Sequence, residues 1–129
     1  MRAAALALLV GACGCPGEVV IGGATFCVEV AETEAERTRG LRGREPLAPG
    51  EGLLLVFPVE DEICVVNDGV GFGIDVAYAN AAGEVVALER EVGAGDGTPR
   101  CHGPTQDVLE VPAGALAGVA VGARLNVRR

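Results

Sequence analysis

Phe72-Gly73-Ile74-Asp75-Val76-Ala77-Tyr78 is the stretch that decides the fold class of this chain. Phe72, Ile74, Val76 and Tyr78 point one way and Gly73, Asp75 and Ala77 the other, which is the period of a β-strand. Working outward, Asn67-Asp68-Gly69 signals a turn, and Ile63-Cys64-Val65-Val66 before it reads as another strand. Farther upstream, Leu53-Leu54-Leu55-Val56-Phe57 is apolar at every position, as a strand covered on both faces requires. The acidic segment from Pro58 to Glu62 is expected to turn the chain between these two strands. In the other direction, Asn80-Ala81-Ala82-Gly83 turns into a strand from Glu84 to Glu91. Gly93 to Pro104 reads as a glycine-rich loop carrying Arg100, Cys101 and His102. Asp107 to Val111 is a strand, Pro112 to Gly118 a turn or short helix, and Ala120 to Val127 a closing strand.

Near the N-terminus, Val19-Val20-Ile21 and Thr25 to Val30 form a hairpin through Gly22-Gly23. Thr33-Glu34-Ala35-Glu36 is a capping box that starts a helix of about 34–41, with both acids complementing the helix dipole. Arg37, Arg39, Arg42 and Arg44 follow as the basic cluster of the chain. The expected fold is mainly β, a compact and mostly antiparallel barrel or sandwich with one short α-helix.

Composition narrows the function classes. Formal net charge is −8, and three Phe, one Tyr and no Trp leave few aromatic platforms. Such a chain is repelled by nucleic acid and lacks the stacking groups that hold single strands, so nucleic-acid binding is not expected. All ten basic residues are Arg.

Met1-Arg2 followed by the apolar run Ala3 to Val10 has the layout of a secretory signal and is too short to span a bilayer. Val10-Gly11-Ala12-Cys13 resembles the bacterial lipobox, in which a Cys receives a diacylglyceryl group. Residues 1–12 are therefore expected to be a signal peptide and 13–18 a lipidated N-terminus and linker. A single domain over 19–129 follows, held by Cys13 on the periplasmic side of a bacterial membrane. Plain secretion, with a soluble product, is the alternative.

Export places the four remaining cysteines where disulfides persist. They allow three full pairings, of which Cys64 with Cys101 is preferred because both border loops flanking the central strands. Cys27, in an apolar strand, reads as a buried thiol.

Family resemblance enters through ordered motifs. Phe26-x-Val28-Glu29-Val30-Ala31, Thr33-x-x-Glu36-Arg37-x-x-Gly40-Leu41, Gly52-Leu53-Leu54 and Val108-Leu109-Glu110-Val111-Pro112-Ala113-Gly114 resemble the family called domain of unknown function 192. The resemblance spans roughly residues 25–127 and implies a small β-rich domain with a short helix, often exported. Relatives usually carry Met where this chain has Arg42, and an aromatic-Met-Lys-Asn-Thr stretch where it reads Cys64-Val65-Val66-Asn67-Asp68.

The candidate ligand-binding residues are Asn67, Asp68 and Asp75, with Arg37 and Arg44 as partners. Asp75 stands between Ile74 and Val76 and must be hydrogen-bonded, paired with Arg or solvent-facing. Gly69-x-Gly71-x-Gly73 lacks the strand-to-helix context and Lys of a phosphate loop. The chain contains no Ser, so a serine hydrolase is excluded, and no His, Cys or Asp has the spacing of a metal site. No cofactor and no metal are expected.

The leading expectation is a monomeric, non-catalytic envelope lipoprotein that binds a small ligand or an envelope protein. The alternatives are a carboxylate-dependent hydrolase using Asp68 and Asp75, and a purely structural accessory factor.

Overall fold

The computed structural model describes residues 14–129. The expected signal peptide and Cys13 lie outside the described residues. Strands β1 (Gly17–Ile21) and β2 (Ala24–Ala31) precede helix α1 (Glu34–Arg39). Then come β3 (Glu51–Val65), β4 (Ile74–Ala79), β5 (Val85–Val92), β6 (Arg100–Pro112) and β7 (Leu125–Arg128). The domain is mainly β, and its seven strands form one sheet in the order β5-β4-β6-β3-β2-β1-β7. Every pairing is antiparallel except β2 with β3, the pair whose connection carries α1. A parallel pair cannot be closed by a tight hairpin, so the chain must leave the sheet there, and the excursion builds the wall of the site described below.

The sheet curls until its two edges meet. Leu125 N–H donates to the Gly83 carbonyl at 2.8 Å and Val85 N–H to that of Ala123 at 2.9 Å. This closure demands glycine at position 83, where φ is +82° and a β-carbon would stand 2.9 Å from the Leu125 carbonyl oxygen.

Both faces of the central strands are buried, and alternation sorts their side chains into two cores. Leu53, Leu55, Ile74, Val76, Tyr78 and Val108 pack on one side with Leu41, Leu47 and Val70 from the connections. Leu54, Ala77, Leu109 and Val111 pack on the other with Phe26, Val28, Leu116 and Leu125. Each buried Leu, Ile or Val contributes roughly 1.5–3 kcal/mol of transfer free energy, so both cores hold the sheet.

Helix α1 is too short to persist on propensity alone. Its capping box is complete: Glu36 N–H donates to Thr33 Oγ1 at 3.1 Å, and the Glu36 carboxylate accepts from Thr33 N–H at 3.1 Å. The Glu32 and Thr33 backbone donors hold the Glu36 carboxyl below its ordinary range.

Four local expectations are corrected. Pro58 to Glu62 does not turn the chain but continues β3, which runs unbroken to Val65. Proline is tolerated because the register against β6 breaks between Val56 and Asp61, where its missing N–H has no ladder bond to make. The 93–104 loop is shortened, because β6 begins at Arg100 and Arg100 to His102 already pair with β3. The closing strand is only Leu125–Arg128, since Ala120 to Ala123 is spent on the turn that stitches the sheet edges. Cys27 is not a free thiol; it is bonded to Cys15 across the start of β1 and β2. A second disulfide joins Cys64 of β3 to Cys101, its register partner on β6.

Candidate functional site

The α1 excursion leaves a cleft of about 440 Å³ between itself and the first core face of the sheet. Leu41, Leu55, Phe57, Ile63, Val65 and Val70 supply apolar walls. Glu34, Arg37, Arg39 and Arg42 stand along the α1 side, and Glu110 of β6 lies at the sheet side. The volume and the mixture of apolar walls with a few convergent polar groups are those of a small-molecule site.

Local structure fixes each arginine differently. Arg37 stacks over the Phe57 ring with its guanidinium carbon 4.8 Å from the centroid, and its Nη1 donates to the Glu32 carbonyl and, at 2.9 Å, to that of Val56. Those bonds tie α1 to β3. Arg42 donates from Nη1 to the Thr38 carbonyl, and its stem runs against Gly69, where a β-carbon would lie 3.3 Å from Arg42 Cγ and Cδ. Gly69 thus leaves room for the arm, with φ at +76°. Arg39 is exposed.

Glu110 is the unusual member. It is 6% exposed, lines the cleft, and its carboxyl makes no hydrogen bond to a described residue. Alternation along β6 turns Leu109 and Val111 to the second core and Glu110 to the cleft side, opposite Leu53 of β3 and Val76 of β4. Burial pushes its carboxyl up to about 7, against a smaller opposing pull from the Arg42 charge.

The five residues expected from sequence do not share one site. Arg37 and Asn67 line the cleft. Asn67 is buried, and its Nδ2 donates to the Phe72 carbonyl at 3.0 Å and the Gly93 carbonyl at 2.9 Å, so its amide pins the 67–72 loop. Asp68 is exposed in the turn beyond it. Asp75 is fully buried toward the second core, where Oδ1 accepts from Glu91 N–H at 2.7 Å and Oδ2 from Leu116 N–H at 2.9 Å. Arg44 forms a two-pronged pair with Glu29 at 2.9 and 3.0 Å and stays off the cleft. Cys64 lines the cleft with its sulfur committed to the disulfide.

Sequence reasoning passed over Glu110 and counted Arg42 only within the basic cluster. The available signal was a lone acid inside the apolar run Val108 to Val111, and an Arg where the family resemblance implies Met. Arg42 and Cys64 to Asn67, where the resemblance implies other residues, line the cleft.

A second polar cluster stands away from the cleft. Arg100 bonds Glu89 at 2.9 Å and Asp96 at 2.7 Å, and His102 Nε2 lies 2.7 Å from the other Glu89 oxygen. The His102 ring meets Tyr78 edge-on at 4.7 Å, and Tyr78 Oη donates to the Arg100 carbonyl. The His102 bond first, then Arg100, holds the Glu89 carboxyl below its usual range. The cluster ties the 93–99 loop to β5 and β6. Among the described residues no group of His, Cys, Asp and Glu is arranged to hold a metal ion.

A curled seven-stranded sheet with a parallel β2–β3 pair and a helix-walled cleft defines the class of domain. The chain belongs to the domain of unknown function 192 family, described as an uncharacterized ACR, whose model matches residues 18–127. A solved protein of unknown function from Novosphingobium aromaticivorans DSM 12444 is 26% identical with a TM-score of 0.81, covering 84% of this chain and 83% of its own. A protein from Sinorhizobium meliloti 1021, provisionally named a transcription regulator, shares the fold at 24% identity and a TM-score of 0.79. Its match covers 86% of this chain and 93% of that one. No curated protein sequence matches the chain.

Proposed function

We propose that this protein is an exported, lipid-anchored envelope protein that binds a small ligand, without transforming it, in the cleft between α1 and the sheet. The observation that carries the reading is the Glu110 carboxyl, which opens only onto a cleft rimmed by arginines and accepts no hydrogen bond from a described residue. An acid held in so apolar a surround costs folding free energy even where it faces a cleft, and a ligand group that meets it offsets that cost. Binding is favoured over hydrolysis because Asp68 and Asp75 do not face a common space. Asp75 has each oxygen engaged by a backbone donor, and Asp68 is open to solvent. Two acids must sit within reach of one substrate to divide acid and base roles.

The leader pattern ending at Cys13 and the two disulfides support export. A nucleic-acid role has no support in a chain of net charge −8.

Two measurements test this. Intact-mass spectrometry of the protein from a native-like host should give a chain starting at Cys13 plus acyl groups, gaining the mass of four hydrogens on reduction. An unmodified chain beginning at Met1 with free thiols overturns export. Screening a small-molecule library by two-dimensional amide NMR should find compounds whose shifts concentrate on Leu41, Val65, Val70 and Glu110. A library that moves only other residues, or none, overturns the cleft reading.

A further inference from the structure

The cleft makes opposite demands on its two sides. Glu110 offers two carboxyl oxygens without a hydrogen bond to a described residue, and the α1 side brings Arg37, Arg39 and Arg42 against a single acid, Glu34. Arg37 and Arg42 each spend Nη1 on backbone carbonyls, and their remaining N–H groups make no bond to a described residue. Between the two sides Leu55, Phe57, Val65 and Val70 are apolar, with Thr38 and Asn67 as the neutral polar members of the lining. A ligand carrying only a carboxylate leaves Glu110 without a partner. One carrying only an ammonium must pass three guanidinium groups with nothing to offer them. A molecule bearing both answers each side at once, since a charge-assisted bond to each is about twice as strong as a neutral one.

We infer that the cleft binds a small zwitterion, an ammonium set against Glu110 and a carboxylate set against Arg42, joined by an apolar body that packs on Leu55, Phe57 and Val65. Free apolar amino acids and short apolar peptides share this chemistry. The inference rests on the reading of the cleft as a ligand site and adds the class of ligand.

Proton linkage gives the test a sign. The groups that reach Glu110 are Arg42 from the segment after α1 and Tyr78 from β4, while β3 presents Leu53 and Leu55. With its carboxyl near 7, empty Glu110 is about half protonated at neutral pH, and an arriving ammonium drives off about half a proton. An anion placed there instead takes protons up.

The experiment is calorimetric titration of the full chain at pH 7, in buffers of differing ionisation enthalpy, with four probes. These are L-leucine, L-leucyl-L-leucine, N-acetyl-L-leucine and L-leucine methyl ester, with binding located by amide NMR. The expected result is binding of leucine or the dipeptide with net proton release, weakened at least tenfold by acetylation and by esterification. Glu110→Gln and Arg42→Ala should each weaken it at least tenfold. Preference between leucine and the dipeptide assigns the source. Equal or tighter binding of N-acetyl-leucine with proton uptake overturns the zwitterion and keeps the cleft, and so does equal binding of the methyl ester. Silence of all four probes overturns the ligand class, and a library hit at the cleft then shows that the cleft reading survives. Glu110→Gln is nearly isosteric and Arg42 is exposed, and a matching amide spectrum confirms that each variant folds.

Discussion

Glu110 sets a pH dependence on stability whose direction is fixed by its burial. Its carboxyl is raised from 4.5 to about 7 in the folded chain, so the native state holds the proton that the unfolded state has released between those values. Stability from this group is intact below pH 4.5 and falls as pH climbs through 7, by on the order of 3 kcal/mol. Urea midpoints measured from pH 4 to 8 should decline in the wild type more steeply than in Glu110→Gln. Parallel curves would mean that the carboxyl is already compensated. Asp75 is the contrasting case, an acid whose oxygens are both satisfied by backbone N–H groups of β5 and the 112–119 turn. Asp75→Ala strands two donors in the second core and should cost about 2–5 kcal/mol in denaturant unfolding, with the cleft's amide shifts unchanged. The sequence made Asp75 conspicuous because any acid between Ile74 and Val76 needs partners. Backbone donors were among the partners the sequence allowed; what it withheld was that they come from Glu91 and Leu116, far along the chain. Glu110 reads in sequence as an ordinary polar-out strand residue, and only the central position of β6 turns it into a buried one.

At the scale of elements, β3 and β6 form the spine. They pair over most of their lengths, and the Cys64–Cys101 disulfide crosses them where the register resumes after the Pro58 irregularity. The disulfide closes a sequence separation of 37 residues, so replacing both cysteines with Ala should lower unfolding free energy by about 4 kcal/mol. A fall in the urea midpoint with unchanged slope would bear this out, whereas an unchanged midpoint would show that the spine needs no cross-link. Strands with clean alternation, such as β2 and β4, were legible because one period satisfies both their faces. Leu53 to Phe57 was legible for the opposite reason, having no polar face at all. The Pro58 to Glu62 run misled because proline and three acids look like a turn. Their tolerance in a strand comes from a missing ladder bond that no local pattern encodes. The parallel β2–β3 pair was equally invisible, since strand order is a property of the sheet, and with it went the knowledge that Arg42 and Glu110 would face one space.

Across the whole molecule, the sheet acts as a partition. The cleft draws on one core, while the closure of the sheet edges and the Asp75 brace belong to the other. Substitutions at Leu55, Val65 or Val70 thus reshape what the cleft accepts while the opposite core keeps the barrel edges stitched. The Cys15–Cys27 disulfide has its own bearing on the proposed membrane attachment. Cys15 is clasped to β2, so the folded body begins two residues after Cys13, a leash of about 7 Å at full stretch. A domain moored so closely cannot sweep the space above the bilayer. So moored, it would sample only what passes within its own diameter of that surface, and under the proposed anchoring a ligand would have to come to the membrane to be met.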